Sequence, residues 1–321
     1  MLNLNDVKLD WLAFSFDTDE YIFSKFDRFM TLFPELKCQE EVNTKRVFSH
    51  YEKSYYCGHD IYVFYDSEDS MQNKGCNCVI PAHALEYFMN LLGASSVPDL
   101  MQIIIDRGCK FSRLDFAFDD MTKTFMPLQY FVWWQNDQFK SKFKVAHFDH
   151  GADGGTTFSL GNRAGLRYLR IYDKDIESKG EIPSVRYEFE FHSYTADALG
   201  HQLANKDNFT FHDFITSMFC IIENTGKKQK CREKELMIWK SWVLNLKFNE
   251  EIISIHTNMP AKSFEKSVYW FEKYVAKTLA KMYLVFGKQY ILETAGKATL
   301  HLSDTDLQTI IESEEILSKG R

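Results

Sequence analysis

The chain has 321 residues, 45% of them hydrophobic and 16% aromatic, so it can bury a genuine core in one large domain or two. No run of 18 apolar residues occurs, which excludes a membrane-spanning helix, and the mixed, charged start MLNLNDVKLD does not read as a signal peptide. A formal net charge of −7 argues mildly against nucleic acid as a partner, but the charge is unevenly spread.

In chain order, residues 7–16, VKLDWLAFSF, form a first strand with Asp10 near its start. Short strand-like runs follow in residues 46–66, ending at IYVFYD, and GCNCVI leads into Pro81. Residues 82–92 read as a helix, because Leu85, Phe88 and Leu92 fall on one stripe and Gly93 is a natural stop. A second helix over 98–107 delivers the chain into the strand RLDFAFDD, 113–120, and PLQYFVWWQ within 126–135 gives a third helix. GTTFSLG, LRYLRIYDK and VRYEFEF return to strand alternation. The expected fold class is α+β, a mostly antiparallel sheet with helices.

From about residue 194 the pattern turns helical. Phe264, Val268, Phe271, Val275, Leu279, Met282 and Phe286 form one helical stripe after Pro260, closed by Gly287, and residues 303–318 form another helix capped by Ser303. The expected division is therefore an α+β domain over 1–193 and a mainly helical region over 194–321 for DNA or partner binding.

Chemistry concentrates on three strands. Side chains two apart on a strand share a face. Arg170, Tyr172 and Lys174 thus share one face; Arg186, Glu188 and Glu190 another; Arg113, Asp115, Ala117 and Asp119 a third. A single such strand is explained by the wet face of an antiparallel sheet. Three together, with Glu188 and Glu190 repelling each other, suit a cation between carboxylates, and hard ions such as Mg or Mn prefer oxygen ligands. Phosphodiester chemistry also needs a nucleophile, which a phenol supplies, and positive groups for the non-bridging oxygens. On the residues alone, Tyr168 and Tyr172 are near-equal candidates.

Other features carry less. Residues 138–174 set Lys140, Lys142, Lys144, Arg163, Arg167, Arg170 and Lys174 against three aspartates, a local balance of +4, and KKQKCREK holds Lys227, Lys228, Lys230 and Arg232. Such blocks are phosphate tracks or simply solvated surface. Trp133 and Trp134 could stack on unpaired bases, although core packing is the commoner fate. The seven cysteines, odd in number and irregularly spaced, are expected as reduced thiols of a cytoplasmic protein, and Cys57, Cys76, Cys78 and Cys109 fit no standard zinc spacing. His147 and His150 flank Asp149 without a third partner. There is no GxxxxGK[ST], so a P-loop is unsupported.

The ordered set RLDFAFDD, TTFSLGNRAGLRYLRIYDK and VRYEFEF resembles the Rep_trans family, the rolling-circle initiators of small Gram-positive plasmids with related phage initiators and conjugative-element relaxases. The resemblance extends to VKLDWLAFSF, GCNCVIPAHALEYF and PAKSFEKSVYWFEKYVAKTLAKMYLVFG, and so covers most of the chain. It implies a sheet related to the HUH-type endonucleases, although no His-hydrophobic-His pair is present. It implies that Tyr172, in the R-I-Y-x-K segment, attacks one DNA strand at an origin, keeps the 5′ phosphate and frees a 3′-OH. Arg170, Lys174 and Arg186 would assist, and Asp115, Asp119, Glu188 and Glu190 would hold a divalent metal, Mg or Mn. Host helicase, polymerase and a second protomer are the partners it implies, and no helix-turn-helix module is expected before the first strand. Two alternatives remain open at this point: a metal-dependent nuclease using water, and a non-catalytic origin-binding protein.

Overall fold

Alternating strands assemble one large antiparallel sheet, and helices cover one of its faces. The computed structural model describes residues 3–4, 7–16, 25–40, 51, 53–65, 76–205, 210–221, 271 and 275–299. They fall in two compact units, Met1–Asn258 and Met259–Arg321.

In the first unit the strands are β1 (Asn3–Leu4), β2 (Val7–Phe16), β3 (Gln39–Glu40), β4 (Lys53–Tyr56), β5 (Tyr62–Tyr65), β6 (Cys76–Pro81), β7 (Lys110–Asp120), β8 (Phe139–Ser141), β9 (Ala146–His150), β10 (Thr156–Leu160), β11 (Arg167–Asp173), β12 (Val185–His192) and β13 (Phe219–Ile221). The helices are α1 (Lys25–Leu32), α2 (Ala82–Leu92), α3 (Val97–Asp106), α4 (Pro127–Gln135), α5 (Lys174–Glu177), α6 (Tyr194–Asn205) and α7 (Phe211–Met218). The main sheet runs β3-β4-β5-β6-β2-β7-β12-β11-β10-β9, with β1 beside β2, while β8 and β13 form a separate pair. Every pairing in it is antiparallel.

Local chemistry explains the helix ends. Ser96 accepts the Asp99 N–H at 3.2 Å, and the Asp99 carboxylate accepts the Ser95 N–H at 2.7 Å, so α3 begins with reciprocal caps. Gly93 stops α2 in the left-handed conformation, φ 71°, and donates its N–H to the Asn90 carbonyl.

One sheet face is the core. Leu9, Leu12, Phe14, Leu114, Phe116, Phe158, Leu169, Ile171, Tyr187, Phe189 and Phe191 are all buried there. Helix α7 drives two rings into it, Phe211 stacking on Phe118 at 3.8 Å and Phe214 on Phe116 at 4.6 Å. Each fully buried ring of this kind stabilises by roughly 1.5–3 kcal/mol. Trp133 packs edge-on against Tyr130 and Phe125, and Trp134 against Phe139, so both serve the core.

Helices α6 and α7 and strand β13 follow residue 193 yet belong to this first unit, where α7 supplies core rings. The helical expectation from 194 onward is corrected at Phe219–Ile221, which pairs with β8. In the second unit a helix runs Ala276–Thr299 and is interrupted at Gly287, φ 79°, where the stripe was expected to close. The 303–318 helix, the basic block 227–234 and the start of the stripe lie outside the described residues.

The expectation of seven reduced thiols is also corrected. Cys38 and Cys57 form a disulfide. Gln39 pairs with Tyr56, so the antiparallel register, continued by one residue, sets these two cysteines opposite each other, which their spacing alone does not reveal. Cys76, Cys78, Cys109 and Cys220 are buried thiols.

Candidate active site

The other face of the sheet is polar on β7, β12 and β11, and the registers define three cross-strand rows. Asp119, Arg186 and Tyr172 make the first row, Ala117, Glu188 and Arg170 the second, and Asp115, Glu190 and Tyr168 the third. The neighbouring half of this face, on β2, β6 and β5, is instead apolar, built from Ala13, Val79 and Phe64 with Trp11 and Tyr62 beside them. The alternation of the three strands thus does bring all four expected carboxylates, Arg170, Arg186 and Tyr172 to one face.

Tyr172 is buried, with 6% of its surface exposed, and its hydroxyl donates to Glu188 Oε1 at 2.6 Å. Burial and then the Glu188 charge push the phenol well above its ordinary range. Arg170 donates to Glu188 Oε2 while its guanidinium lies 4.7 Å from the Tyr172 ring centroid. Lys174 sits 5.8 Å from the same ring, but as the first residue of α5 rather than on the strand, and it pairs with Glu177. Strand alternation ends there because Asp173 caps that short helix, accepting the Asp175 N–H at 3.2 Å.

The carboxylates divide into separate sets. Asp119 accepts a bidentate pair from Arg186, at 2.7 and 2.8 Å, and Lys8 at 3.2 Å. Burial raises Asp119, but those cations outweigh it and hold the group below the usual carboxylate range. Glu188 belongs to Arg170 and Tyr172. Asp115 and Glu190 share Arg113, which chelates Asp115 at 2.9 and 3.0 Å and reaches Glu190 at 3.2 Å, while Arg163 approaches Glu190 at 3.3 Å. Burial raises Glu190, but His192, Arg113 and Arg163 bring it below its ordinary value.

Two residues of this face were missing from the expected set. His192 continues the alternation of Arg186, Glu188 and Glu190 by one step. Its Nε2 is buried without a hydrogen-bond partner, 3.4 Å from Glu190 Oε2. Asp10 sits at a register shift between Leu9 and Trp11, and its neighbours are Glu188, Arg186, Lys174 and Asp119. Its sequence signal was present: the buried positions of β2 change phase from Val7 and Leu9 to Leu12, Phe14 and Phe16.

Among the described residues no three or more His, Cys, Asp or Glu side chains close as a preformed metal cage. At the Asp115–Glu190–His192 corner two carboxylates and an imidazole meet, donor types that a divalent ion takes, with Arg113 bonded to both carboxylates and His192 Nε2 3.4 Å from Glu190. All four expected carboxylates are bonded to an arginine: Asp115 and Glu190 to Arg113, Asp119 to Arg186 and Glu188 to Arg170.

The expected DNA-contacting cations scatter. Lys142 and Lys144 are exposed between β8 and β9, and Arg163 lies in the β10–β11 turn. Lys140 is on β8, paired with Cys220. Arg167 turns to the core face, 6.0 Å from the Phe191 ring, where burial lowers its affinity for the proton. Lys227, Lys228, Lys230 and Arg232 lie outside the described residues.

The chain is thus a broad antiparallel sheet with helices on one face and a tyrosine among carboxylates and guanidiniums on the other. The family model described as replication initiation factor matches residues 109–295, more than half of the chain, which therefore belongs to that family. The chain is 23% identical, over 279 residues, to "Putative DNA relaxase NicK" of Bacillus subtilis (strain 168), covering 81% of this chain and 74% of that protein. Among solved structures it resembles a rolling circle replication initiator protein from Geobacillus stearothermophilus, with a TM-score of 0.58 at 18% identity over 79% of this chain and 99% of that one. That likeness concerns the fold.

Proposed function

We propose that this protein, a nicking initiator or relaxase of its family, cuts and rejoins one DNA strand at an origin through a covalent link between Tyr172 and the 5′ phosphate. The observation that carries the reading is the hydrogen bond from the Tyr172 hydroxyl to Glu188, flanked by Arg170 and Arg186 on one face. Glu188 takes the phenol proton as the oxygen attacks phosphorus, a transfer that spares a free phenolate in a site where burial opposes it. Arg170 and Arg186 face the non-bridging oxygens, and Asp119 holds Arg186 in place. Arg170 and Lys174 lie close to the Tyr172 ring, so a phosphate that draws these cations toward itself uncovers the hydroxyl.

A divalent ion of the Mg or Mn kind, held by Asp115, Glu190 and His192, would neutralise charge on the phosphate when bound. Lys142, Lys144 and Arg163 would follow the DNA backbone. Host helicase, polymerase and a second protomer are the partners this reading calls for, and its substrate sets the work in the cytoplasm. The region after 193 would contribute DNA or partner contacts.

The test is an oligonucleotide carrying the nick site with a trap for the covalent product. Wild-type protein gives an adduct that maps to Tyr172, and Tyr172→Phe gives none. An adduct from Tyr172→Phe, or one mapped to Tyr168, removes Tyr172 from the role.

A further inference from the structure

We infer that the DNA strand leaves the Tyr172 site across β10 and β9, over Thr157 and Ser159 and past His147, on its way to Lys144 and Lys142. The inference rests on the reading of Tyr172 as nucleophile. It adds a path for the strand and two binding residues, Thr157 and His147, that neither the family motifs nor the three charged strands contain.

Register carries it. Residues directly opposite each other in an antiparallel pair project from the same face. Thr157 stands opposite Tyr172, and Ser159 opposite Arg170, across β10 and β11. Asp149 stands opposite Thr157, and His147 opposite Ser159, across β9 and β10. The rows of the polar face therefore continue two strands beyond the tyrosine. One reads Asp119, Arg186, Tyr172, Thr157, Asp149, and the next Ala117, Glu188, Arg170, Ser159, His147. Phe158, between Thr157 and Ser159, is fully buried on the other face, as alternation requires.

Side-chain size shapes this extension into a furrow. Thr157 and Ser159 are short, and they lie between Tyr172 and Arg170 on one side and Asp149 and His147 on the other. Strands β11 and β9 are two interstrand spacings apart, roughly 9.5 Å, a width that suits a single nucleic-acid chain. Ser159 is buried on this floor, Thr157 is half-buried, and His147 and Asp149 are exposed.

Charge gives the direction. Asp149 ends the row of Tyr172 and repels a phosphate, whereas His147 ends the row of Arg170 and offers a ring N–H. Lys142 and Lys144 are exposed in the turn that leads into β9, just before His147. A phosphate chain that starts at Arg170 thus meets Thr157 and His147 next, and then the two lysines. Hydroxyl and ammonium donors of this kind fix a nucleic-acid backbone.

The experiment is equilibrium binding of nick-site oligonucleotides to the full chain, in a Tyr172→Phe parent so that affinity is read without cleavage. Thr157→Val, His147→Ala, His147→Gln and His150→Ala are added singly, with melting midpoints alongside. Each protein meets the long oligonucleotide and two others cut back close to the nick, one on each side. Thr157→Val and His147→Ala should each weaken the long oligonucleotide by about threefold to tenfold. Cutting back one side should weaken the parent but cost His147→Ala little more, because that contact is already lost. His147→Gln keeps an N–H donor and should recover part of the affinity. His150→Ala, one step along β9 and on the opposite face, should bind as the parent does. A 5-iodouracil photocrosslink in the nucleotides beside the nick, on that same side, should map to β9 or β10. Parent-like affinity in both Thr157→Val and His147→Ala, or equal losses for all three oligonucleotides, overturns the path. Crosslinks confined to β2, β5 and β6 also overturn it, placing the strand on the apolar half of the face. Should a variant melt early, the crosslink in the parent alone decides. An adduct formed by the Tyr172→Phe parent instead removes the underlying reading, so the two failures are distinguishable.

Discussion

Asp115 and Glu190 stand directly opposite each other across β7 and β12, both almost fully buried, with Arg113 bonded to both. Like charges in that position destabilise a sheet. Burial in the first place, opposed by Arg113 and reinforced by Glu190, pushes the Asp115 carboxyl up to about 6. An unfolded aspartate titrates near 3.8. The folded state thus holds its proton longer, and stability is lost as pH rises from about 4 through about 6. The loss is up to about 3 kcal/mol, since one unit is 1.36 kcal/mol. In chelator, the wild-type melting midpoint should fall across that window, and Asp115→Asn should lack the fall. Adding Mn should then raise the wild-type midpoint at pH 7, but not that of Asp115→Asn or Glu190→Gln. Equal Mn-induced shifts in all three proteins would remove this corner as the metal site.

Among the described residues, Glu188 is the acceptor bonded to the Tyr172 hydroxyl. Glu188→Gln keeps the shape and can still accept a hydrogen bond, but it cannot take the proton at neutral pH. Nicking should fall by about 10²- to 10⁴-fold while oligonucleotide affinity changes little, as measured by single-turnover rates beside equilibrium binding. A comparable loss of affinity would reassign Glu188 to holding Arg170 in place.

How much of this was legible follows from the two-residue period of a strand. Alternation fixes which side chains share a face, so the grouping of Arg170 with Tyr172, and of Arg186 with Glu188 and Glu190, needed no structure. Register is a different matter. Nothing in VRYEFEF says that Glu190 meets Asp115 while Arg186 meets Asp119, because that depends on how two distant segments slide past each other. The four carboxylates therefore read as one set, when arginines divide them. Lys174 was misplaced because alternation continues one residue past the strand, into a helix capped by Asp173. Strands β8 and β13 have three residues each, too few to show a period.

Basic residues that sequence groups together are separated by the sheet, and the separation is measurable. Lys142 and Lys144 are exposed, whereas Arg167 sits over Phe191 and reaches the Ser217 carbonyl at 3.5 Å. Charge reversal at Lys142 and Lys144 should weaken DNA binding for any sequence and reduce the salt slope by about 0.7–0.9 per lost phosphate contact. Arg167→Ala should leave the slope unchanged and lower the melting midpoint, through lost packing of its stem. A titration of affinity against salt for both variants decides it; equal slopes for wild type and the Lys142/Lys144 variant would place the DNA elsewhere.

The sheet that carries the site depends on close approach of α6 to β7, and Gly200 permits it. A Cβ at that position would lie 2.1 Å from the Phe111 ring edge, and that side chain is buried in the core. Two effects oppose each other in Gly200→Ala. Replacing a mid-helix glycine by alanine gains roughly 0.5–1 kcal/mol of helix propensity. Overpacking a filled core costs typically 1–3 kcal/mol. Phe111 is a rigid ring at the edge of β7, beside the backbone N–H that donates to Asp197 at 2.9 Å, so it has little room to yield. The clash should win, and the variant should melt lower than wild type. Because Phe111 leads into Arg113 and Asp115 on the same strand, the variant should also lose part of the Mn-induced shift expected for wild type. A Gly200→Ala protein that melts higher than wild type would mean that helix and strand can move apart without cost.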